Sequence, residues 1–132
     1  MTKMSSTPWR VVWITGASTG IGRNLALRIA NEGSIVAVSA RSADKLTELT
    51  RMSPNIRAYP LDVTHEGDVA DTVGRIEADL GPIDLAVLNA GVWHPMTASR
   101  YDLAKAKDSM TVNYIGVINA LDPVMRAMIA RG

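Results

Sequence analysis

Thr15-Gly16-Ala17-Ser18-Thr19-Gly20-Ile21-Gly22 joins an apolar, β-branched run to a stretch of helical periodicity, and its reading decides the fold. Residues 10–15 (RVVWIT) precede it and form a short strand buried on both faces, as parallel sheets require. Behind it Ile21, Leu25 and Ile29 recur at four-residue spacing beside Ala26 and Ala30, one apolar helical stripe with Gly33 placed as a left-handed cap. A glycine-rich turn from strand to helix suits an anion, because free backbone N–H groups and the helix dipole point the same way. Glycines there let the chain turn sharply, approach a diphosphate closely and pack helix against strand. A P-loop would end in Gly-Lys-Ser/Thr, but Gly22 is followed by Arg23. The spacing is G-x-x-x-G-x-G, which also differs from the common G-x-G-x-x-G.

Outward from the turn, strands and helices alternate. Residues 34–40 (SIVAVSA) read as a second strand, and 42–52 as a short helix carrying Leu46 and Leu49. Residues 56–61 read as a third strand with Pro60 near its end. Val69, Val73, Ile76 and Leu80 then share one helical face, which Gly81-Pro82 stops. Residues 83–88 (IDLAVL) read as a fourth strand, and 103–129 as a helix kinked or broken near Pro123. Such alternation implies right-handed crossovers and a parallel sheet. The fold class is α/β, a Rossmann-type doubly wound parallel sheet of strand order 3-2-1-4, with residues 1–132 as a single nucleotide-binding domain.

Composition narrows the function. The chain has 132 residues, enough to bury a core, and its 47% hydrophobic and 20% charged content is that of a folded protein. A net charge of +1 gives no electrostatic footprint for nucleic acid or an anionic membrane. The absence of cysteine excludes disulfides, thiolate metal sites and a cysteine nucleophile. His65 and His94 lie too far apart for a metal-binding pair on one helix, so no metal is expected. Residues 1–9 hold no apolar run of signal-peptide length, and no stretch is long enough to span a membrane. A cytoplasmic location is the expectation.

The turn resembles the hallmark TGxxxGIG of the short-chain dehydrogenase/reductase family, matched at Thr15, Gly16, Gly20, Ile21 and Gly22. Three further motifs follow in family order, and the resemblance runs from about residue 10 to 132. Asp62-Val63 follows the third strand, where the family places an aspartate on the adenine amino group and the next residue on its ring. As residues alone, Asp62 or Thr64 could equally cap the next helix. Asn89-Ala90-Gly91 matches the family's NNAG with Leu88 in place of the first Asn, a turn that stabilises the sheet beside the cofactor. Asn113, in Thr111-Val112-Asn113-Tyr114, matches the helix asparagine whose carbonyl holds a relay water. It is the one catalytic candidate. Mid-helix asparagine is otherwise unfavourable, since its side chain competes for backbone hydrogen bonds.

The resemblance implies a dinucleotide held by Gly16, Ser18, Thr19, Gly20, Ile21, Gly22, Arg41, Asp62, Val63, Asn89, Ala90 and Gly91. An enzyme choosing NAD places a carboxylate on the ribose about 20 residues past the glycines. Here the second strand ends Ser39-Ala40-Arg41-Ser42, and Arg41 offers a fork suited to a 2′-phosphate. NADP(H) is therefore favoured over NAD(H). The implied reaction is hydride transfer between nicotinamide and a small carbonyl or alcohol substrate, in a homo-oligomer.

The family's catalytic serine and Tyr-x-x-x-Lys follow the asparagine helix, so the resemblance places them, with a fifth strand, beyond residue 132. Tyr101-Asp-Leu-Ala-Lys105 has the spacing but precedes Asn113, and is not the catalytic pair. The 132 residues alone are expected to be inactive, and to associate or aggregate through an unprotected fourth strand and the long helix. A non-catalytic nucleotide-binding module is the alternative. An adenosyl-dependent methyltransferase is disfavoured, since it has no diphosphate for the glycines to cradle. Substrate and reaction direction are not readable from these residues.

Overall fold

The first strand lies inside the sheet, where its side chains are covered from both faces. In a computed structural model describing residues 7–132, β1 (Val11–Thr15) is buried throughout. It pairs in parallel with β2 (Ile35–Ser39) on one side and β4 (Leu85–Leu88) on the other. β3 (Ile56–Ala58) adds outside β2, giving the order β3-β2-β1-β4. The expected parallel α/β sheet of order 3-2-1-4 is what the chain forms. Residues 1–6 lie outside the described residues, and with them most of the segment read for a signal peptide.

Helices cover both faces. Val12, Ile14, Val36 and Val38 pack with Ala26 and Ile29 of α1 (Gly20–Asn31) and Leu46 and Leu49 of α2 (Ala43–Met52). On the other face Val11, Trp13 and Ala37 meet Val69, Val73 and Ile76 of α3 (Glu66–Leu80), with Ala120 and Val124 of α5 (Gly116–Ala130). The buried Trp13 indole donates to Ser39 Oγ at 2.9 Å, which satisfies the one polar atom of the largest core side chain. Gly33 has φ +108, past the end of α1, as its capping role requires. Among the described residues no helix is long and apolar enough to cross a membrane.

Three boundaries differ from the sequence reading by more than one residue, each for a local reason. β3 ends at Ala58 rather than 61, because Pro60 has no N–H for the ladder. Tyr59 and Leu61 still donate to Val38 and Ala40 carbonyls at 2.9 and 3.0 Å. β4 begins at Leu85 rather than 83: Ile83 N donates to Glu77, and the Asp84 carboxylate accepts from the Arg10 and Val11 amides at 2.8 and 3.0 Å. Asp84 thereby staples β4 to the start of β1.

The third difference is the helix break. It falls not at Pro123 but at a π-helical turn over Thr111–Ile115, between α4 (Leu103–Met110) and α5. α5 continues through Pro123, held by the burial of Ala120 and Val124 on the sheet. The wider π turn lets Asn113 reach the loop after β4 and brings Gly116 against Val63.

Candidate functional site

The carboxyl ends of all four strands open on one cavity of about 890 Å³. It lies where strand order reverses, between β1 and β4, the usual ligand crevice of such sheets. Every cofactor-binding candidate except Gly22 lines it. Gly22 lies directly beneath, buried in the first turn of α1.

Two glycines make the floor. Gly16 has φ +66, and a Cβ there would stand 2.7 Å from Ala90 Cα and 2.9 Å from Asn89 O. A Cβ on Gly22 would overlap the Gly16 carbonyl and stand 2.6 Å from Asn89 Nδ2. This contact is real packing, because Asn89 Nδ2 donates to Gly16 O at 3.2 Å and Ala90 N donates to Thr15 Oγ1 at 3.0 Å. The glycine turn and the β4 exit, 73 to 75 residues apart, therefore lock one another. At the N-terminus of α1, Thr19 is extended and provides no side-chain cap. The free N–H groups of the first turn are left for an anion over Gly20 and Ile21, both exposed.

On the β2 side stand Arg41, Ser42, Leu61, Asp62 and Val63. Arg41 is exposed, with its charge near Asp62, so its guanidinium can be reached by a ligand. Asp62 Oδ1 accepts from Thr64 N at 3.0 Å and Thr64 Oγ1 at 2.7 Å. Partial burial alone would raise its pKa; the Thr64 hydrogen bonds, with His65 and Arg41 nearby, outweigh this and hold it below the ordinary value. The cap of α3 is His65, with no side-chain bond, so Asp62 shapes the turn and does not cap the helix. Val63 is fixed from behind: Asn119 Nδ2 donates to its carbonyl at 2.9 Å.

On the β4 side stand Asn89, Ala90, Gly91, Val92, Trp93 and Val112. Asn113 does not line the cavity. Its side chain pairs with the backbone of Val92, accepting from N at 2.7 Å and donating to O at 2.8 Å. An asparagine that looked costly in mid-helix thus has both amide groups satisfied. Tyr101 and Lys105 are not brought to the site, nor to one helical face, since Tyr101 precedes α4 and is 61% exposed. The sequence reading had not singled out Ser42, Val92, Trp93, Val112 or Asn119. Trp93 carried the clearest signal, as a large apolar residue in the loop directly after Asn89-Ala90-Gly91.

The cradle that any Cβ would fill and the uncapped helix start fit the diphosphate of a dinucleotide. Comparison with known proteins agrees with that chemistry. The family model described as short chain dehydrogenase matches residues 10–132. The chain belongs to the short-chain dehydrogenase family. It is 34% identical over 126 residues to a glucose 1-dehydrogenase of Gluconobacter oxydans, covering 92% of this chain and 47% of that one. To an acetoacetyl-CoA reductase of Rhizobium meliloti it is 31% identical, covering 93% and 51%. A short-chain type dehydrogenase/reductase of Mycobacterium marinum superposes with TM-score 0.84 at 33% identity, over 92% of this chain and 51% of that structure. The chain thus spans about half the length of these relatives.

Proposed function

We propose that this chain is the cofactor-binding part of an NADP(H)-dependent oxidoreductase that moves a hydride between nicotinamide and a small carbonyl or alcohol substrate. The observation that carries the reading is the single cavity at the switch point, which gathers the glycine turn, Arg41, Asp62-Val63 and Asn89-Ala90-Gly91. The amides over Ser18, Thr19, Gly20 and Ile21 would hold the diphosphate, with Gly16 and Gly22 keeping the floor low enough for its approach. Arg41 would grip the 2′-phosphate, a bidentate match, and residues 39–42 hold no carboxylate to take the ribose hydroxyls instead. Asp62 would accept from the adenine amino group and Val63 would pack on its ring. Asn89, Ala90 and Gly91 would border the nicotinamide ribose, and Asn113 would hold the adjoining loop through Val92.

The nicotinamide would supply or accept the hydride. The proton must be handled by a group of suitably lowered pKa. Within the 132 residues no serine and Tyr-x-x-x-Lys follow Asn113, so these residues by themselves are expected to give no turnover. A cysteine-free chain using NADP(H) fits the cytoplasm. The exposed apolar side chains of α5 fit a homo-oligomer.

Titration followed by NADPH fluorescence tests the reading. Saturable binding near one per chain, weaker for NADH, is expected. An unchanged NADPH signal, or NADH binding as tightly as NADPH, would overturn the cofactor assignment.

A further inference from the structure

The loop after β4 is tethered at two points, and between them it presents a tryptophan to the cavity. The first tether is the Asn113 amide on the backbone of Val92. The second is the His94 imidazole, whose Nε2 meets Asp108 Oδ2 of α4 at 2.7 Å. Trp93, between them, lines the cavity yet is 83% exposed. Among the described residues the indole's large flat apolar face is left without a partner, and the two tethers hold the loop that carries it.

Its surroundings define what would cover it. Sheet order sets Trp93 on the β4 side of the glycine turn, whereas Arg41 and Asp62 lie beyond β2 and β3. Arg41 and Asp62 are the charged residues of the cavity lining. With Trp93 on that side the lining is Asn89, Ala90, Gly91, Val92 and Val112, none ionisable and Asn89 alone polar in its side chain. That end suits an uncharged, apolar group.

We propose that Trp93 is a specificity-determining residue on the substrate side of this site, selecting carbonyl or alcohol substrates with a flat apolar ring beside the reacting carbon. The inference rests on the hydride-transfer reading given above. A planar ring laid against the indole gains dispersion and quadrupole attraction that a saturated ring of similar bulk does not. His94 and Asp108 are positioning residues: they act through Trp93.

Binding measured at saturating NADP+ tests this without turnover, using benzaldehyde and cyclohexanecarbaldehyde as probes in ligand-observed NMR titrations. The unaltered chain should bind the aromatic aldehyde about two- to tenfold more tightly, the range of an aromatic pair. Trp93→Leu should bring the ratio to one. Asp108→Ala should lower it, and Asp108→Asn, whose amide oxygen still accepts from His94, should restore it. A ratio of one in the unaltered chain, or the same preference in Trp93→Leu, overturns the proposal. Cofactor binding by the unaltered chain is read in the same samples. Its absence sinks both readings, whereas bound cofactor without ring preference sinks this one alone.

Discussion

The turn from β1 into α1 and the outer face of α5 are held to opposite tolerances. In the turn, backbone meets backbone: Gly16 and Gly22 lie so close to Asn89 and Ala90 that neither has room for a single added carbon. In α5, Ala120 and Val124 are buried while Ile118, Leu121, Met125 and Ile129 point outward, each more than 40% exposed. The first region is defined by side chains that are missing, so its geometry cannot relax by changing a rotamer. The second is defined by side chains that no described residue covers, so it can accept many substitutions and many neighbours. Cofactor geometry is therefore fixed where the chain is least able to adapt.

The contrast predicts its largest effect at Gly22. Gly22→Ala should cost about 1–3 kcal/mol of stability through overpacking. It should also abolish saturable NADPH binding, because the turn can admit the methyl only by moving its own carbonyl. Thermal unfolding and fluorescence titration check both; an unchanged melt would mean that the turn is looser than its contacts indicate. At the rim the effect should be selective. Arg41→Ala should weaken NADPH binding by about 1.5–3 kcal/mol, the scale of a lost charge-assisted contact, and leave NADH nearly unchanged. Equal losses for both cofactors would show that Arg41 does not read the 2′-phosphate.

A pH effect sharpens the comparison beneath the β3 end. Burial of Tyr59, with its hydrogen bond to Asp79 and that residue's charge, pushes its pKa from 10.0 up to about 12. The folded value exceeds the unfolded one, so its contribution is complete below pH 10 and is lost as the pH climbs towards 12. Alkaline melts of the parent should fall across that window, and those of Tyr59→Phe should fall less; parallel curves would remove Tyr59 from the account. The smallest effect on stability belongs to α5. Leu121→Glu should change stability by no more than about 0.5 kcal/mol. The same change should lower any self-association seen by sedimentation, and an unaltered sedimentation profile would clear that face of a role.

The sheet was legible because strand character here is a matter of composition: Val11 to Thr15 and Ile35 to Ser39 could hardly be anything but buried strands. The glycine turn was legible because few chemistries need three glycines in that spacing. What escaped was set by partners distant in sequence. Nothing near Asp84 announces that its carboxylate will take the Arg10 and Val11 amides at the start of β1, and nothing in Thr111–Ile115 announces a π turn. Pro123 looked like the natural place for a break because local propensity was all that could be read there. Asn113 was noticed as a costly mid-helix residue, but its side-chain grip on Val92 depends on a loop 21 residues away.

The Asp84 staple has a consequence for the order in which the molecule is assembled. It joins residues 73 apart, whereas the link from Ser34 to Trp9 at the head of β2 spans 25. Closing the longer loop carries an extra entropic cost of about 1 kcal/mol. The staple's two charge-assisted bonds offset that cost only once α3 and its turn are already in place. β1 and β2 can therefore come together early around α1, and β4 can arrive only after the chain has run through a further strand and helix. Among the described residues Leu85–Leu88 are also half-buried where those of β1 are fully covered. In native-state hydrogen exchange β4 should open as its own unit, its amides trading with solvent while those of Val36 to Val38 remain protected. Within residues 7–132 the crevice wall on the β4 side is then the wall that opens first.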